Sequence, residues 1–126
     1  MASVGDMELR VVRVTDRFDQ ACTLYGEVLG WPVTKAWDEP QRGRIFGYGD
    51  AGRVELMEAT AATTVPPVTG VFVAFEVADV DALHRRLVAA GITIVRPPTD
   101  QPWGHRNITF ADPSGLELVA FQILGG

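Results

Sequence analysis

The sequence predicts an α+β fold: two βαβββ modules forming a curved, half-open eight-stranded barrel with the helices outside. Three observations predict it. Val14-Thr15-Asp16 opens a helical stretch ending at Leu29-Gly30, and Val77-Ala78-Asp79 opens another ending at Ala90-Gly91, half a chain length away. Each aspartate follows an apolar run, and each stretch closes on a Gly where a helix C-terminus favours a left-handed residue. Three short strand-like runs then follow each helix. A four-stranded sheet with its helix on one face leaves the other face open. Two such sheets side by side give the barrel, and their concave side suits a ligand groove without naming the ligand.

The elements follow in order. Leu9 to Val14 reads as a strand, and Asp16 or Asp19 is placed to accept hydrogen bonds from the free N–H groups of the next turn. Phe18, Ala21, Cys22, Tyr25 and Leu29 recur at helical spacing and mark one buried face, with Cys22 as a small apolar member. Trp31 just beyond Gly30 joins the core. Strands are expected at Val33–Trp37, Arg44–Tyr48 and Arg53–Met57, the last two joined by Gly49-Asp50-Ala51-Gly52. Residues 59–70, with Pro66 and Pro67, read as a linker. The chain is thus a single domain, 1–126, with module 1 at about 7–58 and module 2 at about 71–126. In module 2, Phe72–Val77 is a strand, and Val80, Leu83 and Leu87 mark the inner face of a helix on which His84 is partly exposed. Ile92–Arg96 is a strand stopped by Pro97-Pro98. Asn107–Ala111 and Leu116–Ile123 flank Asp112-Pro113-Ser114-Gly115, a type I turn with Pro second and Gly fourth.

Composition narrows the function. The chain is 47% hydrophobic and 21% charged, an ordinary globular balance that excludes disorder. Its one cysteine, Cys22, cannot form a disulfide within the chain. A formal net charge of −5 disfavours nucleic acid and mildly favours a neutral or cationic ligand. No apolar run reaches the roughly 20 residues that span a bilayer. The first six residues lack the basic and apolar character of a secretion signal, so a cytoplasmic location is expected.

The order and spacing of several segments resemble the vicinal oxygen chelate superfamily of glyoxalases, dioxygenases and bleomycin-resistance proteins. They are Val14-Thr15-Asp16, Leu24-Tyr25-Gly26-Glu27-Val28-Leu29-Gly30-Trp31, Phe75-Glu76-Val77-Ala78-Asp79-Val80, Ala89-Ala90-Gly91, Trp103-Gly104 and Asp112-Pro113-Ser114-Gly115. The resemblance implies four metal-ligand positions in the enzymes: His or Gln on the first strand, Glu late in the first module, His on the strand opening the second, and Glu on the last. Seven residues before each strand-ending Asp stand Leu9 and Phe72. Glu55 falls on the second position and Val119 on the fourth. Leu, Phe and Val do not bind metals, so no metal and no cofactor are expected. A one-residue shift would put Arg10 in place of Leu9 and exchange the faces of that strand. Asp16 to Tyr25 spans one residue more than the family pattern, which raises that alternative.

With Leu9 as reference, Val11 and Arg13 face the groove, as do Phe72, Ala74, Glu76, Glu55, Met57, Glu117, Val119 and Phe121. Apolar walls with a few charged anchors suit a small molecule. Gln101-Pro102-Trp103-Gly104 resembles the Pro-Trp-Gly loop of bleomycin-resistance proteins, and Trp103 offers a flat stacking surface. His105 stands at the groove edge, and Arg106 is placed to pair with a ligand oxygen. Trp37, Phe46 and Tyr48 are further aromatic candidates on the middle strands. The candidate ligand-binding set is therefore Arg13, Trp37, Phe46, Tyr48, Glu55, Met57, Phe72, Trp103, His105, Arg106 and Phe121, with no catalytic and no metal-binding residue assigned. The expected function is metal-independent sequestration of a bulky apolar or aromatic small molecule, an antibiotic, conferring resistance. The alternative is a lyase, isomerase or dioxygenase with an atypical metal site or metal-free acid–base chemistry. The resemblance also implies a homodimer whose groove is shared between chains, and neither nucleic acid nor membrane is an expected partner.

Overall fold

The computed structural model describes residue 3, residues 7–50 and residues 52–125. Ala51 of the expected turn, and most of the N-terminal stretch read for a secretion signal, lie outside the described residues. The chain divides into two compact units, Met1–Val65 and Pro66–Gly126. Among the described residues, no helix is long and apolar enough to cross a membrane.

The first unit carries β1 (Leu9–Thr15), α1 (Phe18–Cys22), β2 (Val33–Trp37), β3 (Gly43–Tyr48) and β4 (Gly52–Glu58). Its sheet runs β1-β4-β3-β2, with β1 parallel to β4 and the other pairs antiparallel. Partners across a ladder share a face, and neighbours along a strand alternate. Buried Val54, Leu56 and Phe46 therefore define the helix side, together with Phe18, Ala21, Leu24, Tyr25 and Trp31. Tyr25 touches both Trp31 and Phe46 at ring separations of 5.6 and 6.0 Å.

The first helix departs from the expected form in two ways. Its N-cap is Arg17, not an aspartate, and the Arg17 N–H is received by the Thr15 hydroxyl. After Cys22 the helix widens into a π-helical segment over Thr23–Val28, with the Leu29 N–H donating to the Leu24 carbonyl. The physical cause lies in the count. Arg17 to the left-handed Gly30 is one residue longer than Asp79 to the left-handed Gly91, and a wider turn accommodates the extra residue. Cys22 is half-buried rather than fully enclosed, and its burial pushes the thiol above its ordinary pKa.

Arg42 ties this unit's surface together. Its guanidinium donates to Glu58 and Asp19 and lies 4.6 Å from the Phe18 ring centre. The hydrogen bond from Arg42 holds the Glu58 carboxyl below its ordinary value. A depressed folded-state pKa stabilises above the unfolded-state value, and that contribution disappears as pH falls through the lowered one. Arg42→Met should therefore flatten the acid limb of a plot of urea midpoint against pH, below about pH 5. An acid limb as steep as in the wild type would contradict this coupling.

The second unit repeats the order with β5 (Phe72–Glu76), α2 (Val80–Ala89), β6 (Ile94–Asp100), β7 (His105–Ala111) and β8 (Glu117–Ile123). Its sheet runs β5-β8-β7-β6, with β5 parallel to β8. Asp79 caps α2 by accepting from the Ala82 N–H, and the Gln122 side chain accepts from the Val80 N–H. Val80, Leu83 and Leu87 pack onto Phe75, Ile108, Phe110, Leu118 and Ala120, all buried. β6 does not stop at Pro97-Pro98. It continues to Asp100 because it is an edge strand, where a missing N–H is tolerated, and its register shifts between Arg96 and Thr99 around the prolines. The α+β class and the β-α-β-β-β order of both halves are as the sequence predicts.

Candidate functional site

The face of the second sheet opposite α2 is built by alternation. Phe72 and Ala74 come from β5, Glu117, Val119 and Phe121 from β8, and His105, Asn107 and Thr109 from β7. The intervening residues, Phe75, Leu118, Ala120, Ile108 and Phe110, are committed to the helix side. This face holds a cavity of about 590 Å³ with Phe72, Trp103, Asn107, Thr109, Glu117 and Val119 among its lining. That volume falls in the range of small-molecule sites.

A tight turn holds Trp103 in place. The Gln101 N–H donates to the His105 carbonyl, and Gly104 N–H donates back to Gln101. Gly104 has φ of +87°, which a side-chain-bearing residue adopts only at a cost. Pro102 and Trp103 fill the middle of the turn, and Trp103 is left 64% exposed. Beyond the cavity, His105 stacks on Phe121 at 5.0 Å and 11°. The sequence-predicted Phe72, Trp103, His105 and Phe121 are thus brought to one face of one sheet.

Arg106 is a correction. It points to the helix side, where its guanidinium donates to Asp81 of α2 and to Asp100. Those carboxylates hold Arg106 firmly charged and engaged, so it ties α2 to the edge of the sheet.

In the first unit the strand register decides which residues share a face. Val12 pairs with Glu55 and Arg13 with the buried Leu56. The face opposite the helix therefore carries Arg10, Val12, Val14, Glu55 and Met57, and the Leu9-based assignment is off by one. The reason is the position of the helix N-cap. Seven residues before Asp79 stands Phe72, and seven before Arg17 stands Arg10. Arg13 is 6% exposed on the helix side and donates to the Val14 carbonyl. Phe46 is 1% exposed against Tyr25, a core residue and not a groove residue. Tyr48 sits on the same side, its ring 5.0 Å from Trp31. Glu55, Met57 and Trp37 remain on the open face. The Trp37 indole lies so close over Gly43 that any side chain there would overlap it.

The donor set does not fit a divalent cation. On β1 the corresponding residue is Arg10, which donates to Glu55 at 2.8 Å and also pairs with Glu8. Glu55 is the one carboxylate at an expected ligand position, and it is committed to a guanidinium. Phe72 and Val119 offer only hydrocarbon. Divalent metals in such sites need imidazole or carboxylate donors.

Sequence reasoning missed Asn107 and Thr109. The apolar Ile108 and Phe110 between them carried the signal, because alternation around two core residues assigns their neighbours to the other face. Arg96 was missed for a different reason. It lies on a strand interrupted by prolines, where parity cannot be counted across the irregularity.

Comparison with known proteins places this geometry in a family. A comparison with curated proteins finds no match. Among solved structures, TioX from Micromonospora is 25% identical, with 93% of this chain and 98% of that one covered and a TM-score of 0.72. A glyoxalase/bleomycin resistance protein/dioxygenase from Nocardioides is 26% identical, covering 93% of this chain and 83% of that one, with a TM-score of 0.67. A superfamily member from Sphaerobacter thermophilus is 22% identical over 91% of this chain and 95% of that one, with a TM-score of 0.73, a likeness of fold. The family model for this group matches residues 9–119, nearly the whole chain, and the protein therefore belongs to the Glyoxalase/Bleomycin resistance protein/Dioxygenase superfamily.

Proposed function

We propose that this protein binds a bulky, partly aromatic small molecule, an antibiotic, and confers resistance by sequestering it without a metal. The observation that carries the reading is the cavity of the second sheet. Its aromatic wall, Phe72, stands at an expected ligand position of the family, and an exposed tryptophan lines the same cavity. Burial and stacking would supply affinity, and polar groups on the floor would fix orientation. Membership in a superfamily that includes bleomycin-resistance proteins supports the reading, as does the net charge of −5, which suits a neutral or cationic guest. The homodimer with a groove shared between chains belongs to the same proposal.

The test is calorimetric titration with bleomycin and with daunomycin, a planar cationic antibiotic. The expected result is saturable binding of at least one, unchanged by EDTA, with the antibiotic recovered intact. Failure of both to bind, or recovery of an altered product, would overturn the proposal. Trp103→Ala should weaken binding about tenfold or more, since a lost stack and its buried area exceed the 1.4 kcal/mol of one decade. The same exposed-residue change should move stability by no more than about 0.5 kcal/mol. Equal affinity for variant and wild type would remove Trp103 from the site.

A further inference from the structure

We propose that the cavity of the second sheet takes an elongated ligand lying along β7 and β8, with a hydrogen-bond donor on Asn107 at one end and a cationic nitrogen on Glu117 at the other. The inference rests on the binding reading above and specifies the chemistry of its guest.

The ladder fixes the dimensions. Asn107 stands opposite Phe121, and Glu117 stands opposite Ala111. The two polar residues are four positions apart along the strands, about 13 Å at the usual rise. Thr109 and Val119, opposite each other, form the floor between them. Phe72 stands opposite Glu117 and marks that end, whereas Trp103 lies in the turn leading into β7 and marks the Asn107 end. The two aromatic groups are therefore bookends to a trough, not the jaws of a clamp. A compact ligand reaches one of them, and a long one reaches both.

The polar groups indicate what the ligand carries. The Asn107 Oδ1 atom is buried and has no hydrogen-bond partner. Its neighbours on the same face are committed elsewhere: the Thr99 hydroxyl donates to the Pro97 carbonyl, and His105 is stacked on Phe121. A buried acceptor without a donor carries the full cost of its lost hydration; Asn107 lines the cavity, so turning its amide brings that oxygen to a ligand N–H or O–H, which removes the cost. Glu117 lines the same cavity, half-buried, and pairs with no cationic side chain among the described residues. Arg96, opposite Thr109 on the far side of β7, stands beside mid-length, where it offers donors to a carbonyl or quinone oxygen. It lies two strands away from Glu117 and leaves that carboxylate to the ligand.

Daunomycin and daunomycinone form the test pair. They share the planar rings, and only daunomycin carries the amino sugar. The wild type should bind daunomycin about tenfold more tightly, and Glu117→Gln should bring daunomycin down to the affinity of daunomycinone. Asn107→Leu should weaken daunomycin about fivefold or more, whereas Asn107→Asp, which keeps the acceptor and cannot donate, should retain it. Loss of binding in Asn107→Asp would mean that the ligand presents an acceptor there, the amide being turned the other way, and would overturn the assignment. Equal affinities for the two compounds in the wild type, or a preference that survives Glu117→Gln, would overturn the inference while leaving sequestration intact. Binding of bleomycin but not of daunomycin would do the same. Failure of every compound to bind removes the underlying reading itself.

Discussion

Replacing Phe46 with alanine should lower the unfolding free energy by about 3–5 kcal/mol, the usual cost of emptying a fully buried aromatic position. Phe46 sits on the helix side of the first sheet, 1% exposed, in contact with the Tyr25 ring and directly beneath Gly26 of the π-helical segment. Truncation removes the floor against which that segment rests. Urea denaturation with matched slopes would measure the loss. The contrast with Trp103→Ala is the informative part, since both are aromatic and both are legible as groove candidates from sequence. One should cost stability and the other affinity. A Phe46→Ala protein as stable as the wild type would return this residue to the groove.

Asp112→Ala should cost about 2–4 kcal/mol, because two backbone donors lose a buried acceptor, at about 1–3 kcal/mol for each group left unsatisfied. The Asp112 Oδ1 atom accepts from the N–H groups of Ser114 and Leu116 at 3.0 and 2.9 Å, and the residue is 4% exposed. The backbone adds a closing pair, with the Gly115 N–H on the Asp112 carbonyl and the Asp112 N–H on the Leu116 carbonyl. This turn sets how β7 and β8 align, and with them the spacing of Asn107 from Glu117. Loss of ligand selectivity should accompany loss of stability. Asp112→Asn retains an acceptor and should recover most of both. A variant with an unchanged urea midpoint would show that the turn forms without its carboxylate.

The second module was the more legible half because its local signals agree. Asp79 is a real N-cap, the inner face of α2 is spelled by Val80, Leu83 and Leu87, and Phe75 stands between exposed neighbours. Parity can therefore be counted, and it puts Phe72 and Phe121 on the face opposite α2, where the ladder has them. Arg106 failed because its charge suggested a ligand anchor, while the sequence gives no sign that Asp81 and Asp100 already flank it. In the first module the obvious aspartate is not the cap. Counting from Asp16 instead of Arg17 puts every residue of β1 on the wrong side, so Arg13 reads as facing the groove, and Arg10 takes its place only through the one-residue shift that the longer Asp16-to-Tyr25 spacing raises. Phe46 and Tyr48 erred for a related reason. On a strand with aromatic residues two apart, periodicity shows that they share a side but not which side the helix covers.

The π-helical segment has an evolutionary corollary. An added residue in an ordinary helix swings everything beyond it by about a hundred degrees, since 3.6 residues complete a turn. Here the surplus is stored as a local swelling, and the chain leaves the helix at Gly30 on course. A length mutation of that kind is quarantined where it arises. Duplicated halves could then diverge in residue count while their sheets stayed superposable, and ancestry read from spacing alone would slip by one.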